Sequence, residues 1–152
     1  MENKISMNEV DVLMVEDSPN DAELIAHALS KINIANKIFW IKDGEEALEF
    51  IFRTGRYASR DESTQLKVIL LDLKLPKVNG LEVVAKIKAD ERTKTIPVVI
   101  VTSSQEDKDL KEAYKFGANS YIVKPIDASS FIKALSEAGL YWLAVNKPPV
   151  IK

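Results

Sequence analysis

Three carboxylates, a hydroxyl and an ammonium stand at the ends of short apolar runs. Val10-Asp11-Val12-Leu13-Met14-Val15 stops at Glu16-Asp17, and Val68-Ile69-Leu70-Leu71 stops at Asp72. Val98-Val99-Ile100-Val101 stops at Thr102, and Tyr121-Ile122-Val123 stops at Lys124-Pro125. If these runs are parallel strands of an open α/β sheet, their ends share its carboxyl edge, where such sheets bind ligands. A carboxylate is a recognised covalent nucleophile and can form an aspartyl-phosphate, which suits Asp72. Glu16, Asp17 and Asp72 brought close would repel one another unless a cation sat among them, and an all-oxygen set suits hard Mg²⁺. The same cation would neutralise phosphoryl oxygens. Lys124 offers those oxygens a point positive charge and Thr102 a hydroxyl donor. Singly, each residue has a plain structural reading: an acidic pair before a helix, a turn aspartate, a helix-capping threonine, a surface lysine. Their joint placement at four strand ends points to phosphoryl chemistry.

The elements that must position these groups follow from periodicity. The first run is mostly β-branched and continuous, as expected of a strand covered on both faces. Ser18-Pro19 reads as a helix start, and Ala22, Ile25, Leu29 and Ile32 give that helix one buried stripe. A second strand is predicted at 37–41, followed by a helix through Ala47, Leu48, Ile51 and Phe52. Residues 53 to 66 read as a polar surface excursion, long for a loop in a compact domain. Asn79-Gly80 opens a helix with Leu81, Val84 and Ile87 inside. A helix from about 108 to 116 stops at Gly117, a common position just past a helix end. Five strands alternating with five helices argue for a doubly wound parallel α/β sheet. In the last helix Phe131, Leu135, Ala138, Trp142 and Val145 form a heptad-like stripe. That stripe packs on the sheet or forms a partner or self-association surface near Pro148-Pro149.

Composition narrows the classes. The 152 residues suit one domain, read as 10–146 with a loose arm over 1–9 and a tail over 147–152. A net charge of -2 with no long basic run gives nucleic-acid binding no electrostatic support. Without cysteine there are no disulfides or thiolate metal sites. No apolar stretch approaches the ~20 residues of a membrane span, so a cytoplasmic protein is expected. His27 is the sole histidine and falls off the apolar stripe, which excludes a histidine-based triad or metal cluster.

At these residues the chain resembles the receiver domain of two-component response regulators over roughly residues 10 to 137. The resemblance rests on Val15-Glu16-Asp17-Ser18, on Leu70-Leu71-Asp72-Leu73-Lys74-Leu75-Pro76 with Asn79-Gly80, on Val101-Thr102-Ser103, and on Tyr121-Ile122-Val123-Lys124-Pro125. It implies a flavodoxin-like fold with strand order 2-1-3-4-5. It also implies that Asp72 accepts a phosphoryl group from a sensor histidine kinase. Glu16, Asp17, Asp72 and the backbone carbonyl of Lys74 would hold Mg²⁺, while Lys124 and Thr102 would contact the phosphoryl group. Thr102 and Tyr121 would act as the switch, remodelling the face made by the fourth helix, the fifth strand and the fifth helix. Lys74 and Ser104 would lie where attacking water passes and so influence the lifetime of the phosphoryl group. The long connection and the Tyr141-Trp142-Leu143 segment resemble a subgroup of stand-alone regulators associated with cyanobacterial phytochrome kinases, whose members commonly form homodimers. Such a domain is not an enzyme in the ordinary sense: it catalyses only its own phosphoryl transfer and autodephosphorylation.

Two other classes fit less well. A phosphatase of the haloacid-dehalogenase type also places a nucleophilic Asp at a strand end, but wants a second Asp where this chain has Lys74. The five glycines never form a phosphate-cradling loop, which disfavours a nucleotide-binding fold.

Overall fold

The computed structural model describes residues 9–61 and 66–149. The predicted loose arm lies outside the described residues apart from Glu9, as do residues 62–65 of the long connection and 150–152 of the tail. Five strands form one parallel sheet: β1 (Val12–Val15), β2 (Ile38–Ile41), β3 (Val68–Leu71), β4 (Val98–Thr102) and β5 (Ser120–Val123). Their spatial order is β2-β1-β3-β4-β5, as the resemblance implies. Val15 pairs with Ile41 on one side and Leu71 on the other, Leu71 pairs with Ile100, and Thr102 pairs with Val123. This register brings the polar residues that end β1, β3, β4 and β5 to a single edge.

Five helices cover the two faces: α1 (Pro19–Ser30), α2 (Gly44–Phe52), α3 (Gly80–Ala89), α4 (Asp107–Lys115) and α5 (Ala128–Leu140). Successive side chains of a strand point to opposite faces, so β1 divides its residues between two cores. Leu13 and Val15 join Phe50, Val83, Val84, Ile87 and Ala113 under α2, α3 and α4. Val12 and Met14 join Ile25, Leu29, Phe131 and Leu135 under α1 and α5. Four helix starts carry a side-chain cap: the oxygens of Ser18, Asp43, Asn79 and Asp127 each accept a backbone N–H from the residue three further on.

Two expectations need correction. The 53–66 connection is not simply a polar excursion. It contains a 3₁₀ turn, Gly55–Tyr57, and Tyr57 meets the Phe50 ring edge-on. Arg60 is buried, with its guanidinium over Phe50 and Nη1 donating to the Phe50 carbonyl at 2.9 Å. Tyr57 and Arg60 cover Phe50.

The second correction concerns the last helix, whose buried face runs Phe131, Leu135, Gly139, Leu143. Ala138 and Trp142 are half-buried, and Val145 is 65% exposed. A π-helical turn, Tyr141–Val145, with Asn146 N–H bonded to the Tyr141 carbonyl, rotates the phase away from the heptad.

Candidate functional site

The site begins at the end of β1. Glu16 is buried and held at both ends. Its carboxylate accepts the Ser18 N–H at 3.2 Å, and its backbone carbonyl accepts the Trp40 indole N–H at 2.7 Å from β2. Asp17, the next residue, is exposed. At the end of β3, Asp72 receives the Lys74 N–H on Oδ1 at 3.3 Å, while the Lys74 side chain is exposed. Carboxylate oxygens of Glu16, Asp17 and Asp72 lie within 4.8 Å of one another. Behind Asp72, Gly80 opens α3 so close to the strand that a Cβ there would overlap the Asp72 carbonyl oxygen and crowd the Leu73 Cα. Only a glycine lets α3 start in that place.

Lys124, just past β5, ties the cluster together. Its Nζ donates to Glu16 Oε1 at 2.6 Å, Asp72 Oδ2 at 2.8 Å and Asp21 Oδ2 at 2.8 Å. Burial acts to lower the Lys124 ammonium, but the bonds to Asp21, Asp72 and Glu16 outweigh it and hold the group above the ordinary lysine range. Burial pushes the Glu16 carboxyl up to about 7, with the Asp72 charge adding to the rise and Lys124 opposing it. Both groups are thus held up: the ion pairs favour the charged ammonium, and burial favours the protonated form of the Glu16 carboxyl.

Thr102 is fully buried at the end of β4; its Oγ1 accepts the Ser104 N–H at 3.4 Å. Its carbonyl accepts the Lys124 N–H at 2.7 Å, which fixes the backbone of the lysine relative to β4. Beyond it, Ser104 Oγ donates to Asp109 at 2.6 Å and accepts the Glu106 N–H at 3.3 Å. The half-buried Tyr121 donates its hydroxyl to the Ser104 carbonyl at 3.0 Å, and its ring packs against the core under α2–α4.

The structure therefore brings Glu16, Asp17, Asp72, Thr102 and Lys124 to one sheet edge, with Lys74 beside Asp72 and with Tyr121 of β5 bonded to the adjoining β4–α4 loop. His27 is exposed and takes no part. Sequence reasoning missed Asp21 and Trp40. Asp21 follows Asp17 by four residues in the first turn of α1, so one helical turn carries it back over the edge. Three converging oxygen ligands, two of them on buried residues, form a donor set that fits a hard divalent cation held by Glu16, Asp17 and Asp72. Three carboxylates bonded to one ammonium, with Asp17 beside two of them, leave room for that extra positive charge. No helix among the described residues is long and apolar enough to cross a membrane.

A family model described as the response regulator receiver domain matches residues 12–136. The protein named "Probable methanogenesis regulatory protein FilR2" in Methanothrix harundinacea is 38% identical over 138 residues, 91% of this chain and 86% of that protein. Response regulator Rcp1 of Synechocystis is 34% identical over 132 residues, 87% of this chain and 88% of Rcp1. The crystal structure of its Mn²⁺-bound form gives a TM-score of 0.85 over 91% of this chain and 97% of that one, at 33% identity. The phosphorylated cyanobacterial phytochrome response regulator RcpA gives a TM-score of 0.85 at 33% identity, over 91% of this chain and 96% of that one. Receiver domains are signalling domains, and phosphorylation by a histidine kinase is typical of them. With its parallel 2-1-3-4-5 sheet and acidic carboxyl edge, the chain belongs to the response regulator receiver domain family.

Proposed function

We propose that Asp72 is the phosphoacceptor of a phosphorylation-dependent signalling switch, and that Glu16, Asp17, Asp72 and the Lys74 backbone carbonyl hold Mg²⁺. The observation that carries this reading is the Lys124 ammonium bridging Asp72 and Glu16 inside a converging carboxylate trio. An Asp72 carboxylate oxygen attacks phosphorus, the P–N bond of the kinase's phosphohistidine breaks, and the imidazole nitrogen keeps the electron pair. The bound cation supplies neutralisation of phosphoryl-oxygen charge and in-line orientation. Lys124 exchanges its bond to Asp72 for one to a phosphoryl oxygen, and Thr102 donates its hydroxyl to another. In autodephosphorylation a water oxygen attacks phosphorus, the P–O bond to Asp72 breaks with its electron pair returning to the carboxylate, and inorganic phosphate leaves as the water gives up a proton to solvent. Thr102 and Tyr121 then carry the change to the α4–β5–α5 face. Tyr121 and Ser104 already share a bond there, so a shift in the β4–α4 loop is felt by the ring.

In this reading the receiver spans 10–146 and the protein is cytoplasmic. Similarity to RcpA favours a phytochrome-type sensor kinase as the donor. Exposed Leu140, Tyr141 and Val145 support a homodimer through the end of α5. The test is labelling by a small acyl phosphate with Mg²⁺. Wild type is expected to incorporate phosphate and Asp72→Asn to remain unlabelled; equal labelling of the two would refute the assignment.

A further inference from the structure

The Lys124 ammonium has three N–H donors, and all three are taken, by Glu16, Asp21 and Asp72. In the proposed reaction two of these acceptors are drawn away: Glu16 turns to the cation and Asp72 to phosphorus. Asp21 is outside the trio that converges for a cation and has no competing task. Its side chain is 33% exposed, against 2% for Glu16 and 9% for Asp72, so it keeps contact with water. Its backbone is nevertheless fixed. The Asp21 N–H donates to Ser18 Oγ, Pro19 sets the first turn, and the Ala22 N–H bonds the Ser18 carbonyl at 2.9 Å. Lys124 has its backbone tied to β4 through the Thr102 carbonyl at 2.7 Å, so what remains to be placed is the ammonium at the end of its flexible four-carbon stem.

We propose that Asp21 is the positioning residue for Lys124, holding the ammonium beside Asp72 while Glu16 and Asp72 exchange partners. The inference rests on the reading of Asp72 as phosphoacceptor. It makes a prediction opposite in sign to simple electrostatics. As a bare negative charge, Asp21 repels an anionic phosphoryl donor, and its removal speeds labelling. As the anchor of a flexible lysine, its removal slows labelling, because a displacement of about 1 Å in a reacting group costs up to roughly a hundredfold.

The experiment uses the full chain carrying Trp142→Phe, so that Trp40, bonded to the Glu16 carbonyl, reports Mg²⁺ binding by fluorescence. Labelling rates with a small acyl phosphate are measured at saturating Mg²⁺ for Asp21→Ala and for the near-isosteric Asp21→Asn, which keeps an oxygen acceptor for Lys124. The expected result is a fall of about tenfold for Asp21→Ala, taken from the same placement effect. Asp21→Asn is expected to recover most of the rate, with the Mg²⁺ midpoint near the parental value in both. A rate for Asp21→Ala at or above the parental one overturns the proposal. So does Asp21→Asn as slow as Asp21→Ala, or a deficit that disappears at higher Mg²⁺. Failure of the phosphoacceptor reading shows itself separately, with Asp21 intact, as an unlabelled parent or a labelled Asp72→Asn, and removes both ideas.

Discussion

Replacing Lys124 by alanine takes away the ammonium that Glu16, Asp21 and Asp72 share. Breaking a buried ion pair by removing one partner costs about 3–5 kcal/mol, because the other charge stays buried. The pairs to Glu16 and Asp72 are of this kind, while the wetter Asp21 pair adds at most about 1 kcal/mol. Glu16 limits the loss. Burial already holds its carboxyl at about 7, against 4.5 unfolded, and without the ammonium it rises further. Below 4.5 the carboxyl is protonated in both states. Above that, the folded protein keeps a proton that the unfolded chain has lost, so stability falls as pH rises until the folded-state value is passed. In wild type this decline ends near pH 7. In Lys124→Ala it continues to higher pH, at about 1.4 kcal/mol per pH unit. The cost of the substitution should therefore be about 1–2 kcal/mol near pH 6 and about 3–4 kcal/mol near pH 8.5. Urea unfolding at both pH values in chelator measures it. Repeating the series with Mg²⁺ should recover more stability for the variant than for wild type at the higher pH. A cost independent of pH, or one larger at pH 6, would refute the reasoning.

Three further outcomes are expected. Gly80→Ala places a methyl against the Asp72 carbonyl and the Leu73 Cα, so denaturant unfolding should show a loss of about 1–3 kcal/mol, with slower acyl-phosphate labelling. Tyr121→Phe leaves the Ser104 carbonyl without its hydroxyl donor. It should cost about 1 kcal/mol and speed amide exchange in the first turn of α4, and unchanged exchange would argue against the tether. Sedimentation should show a dimer that Val145→Glu weakens. This position is a cleaner test than Trp142, which is half-buried against the core under α1 and α5. A wild type that remains monomeric at high concentration would dismiss the dimer.

What the sequence made legible was the part governed by local rules. Strand ends, caps and the gathering of Glu16, Asp72, Thr102 and Lys124 follow from continuous apolar runs and parallel topology. Asp21 was hidden because its partner is 103 residues away and depends on how the first turn of α1 tips over the sheet edge. The buried face of α5 was misread after Leu135 because Gly139 carries no hydrophobic signal. Yet a Cβ at Gly139 would overlap the Leu29 side chain, so its smallness is what seats α5 on α1. The π-helical turn then shifts the remaining residues, a departure that a fixed 3.5- or 3.6-residue period does not contain. Arg60 was read as polar surface because burial of its guanidinium comes from stacking on Phe50, a contact set by tertiary structure and not by its neighbours in sequence.

The reach of Lys124 also bears on how the chain acquires its structure. Its bonds to Glu16 and Asp72 span 108 and 52 residues. During synthesis, which proceeds from the N-terminus, β1 and β3 emerge with their carboxylates well before the lysine that quiets them. Contacts so distant in sequence are slow to form. Until β5 docks, the nascent sheet edge is self-repelling, and arrival of the last strand completes both the topology and its charge balance. A divalent ion present in the folding medium would fill that interval, making the proposed signalling cation a folding aid as well.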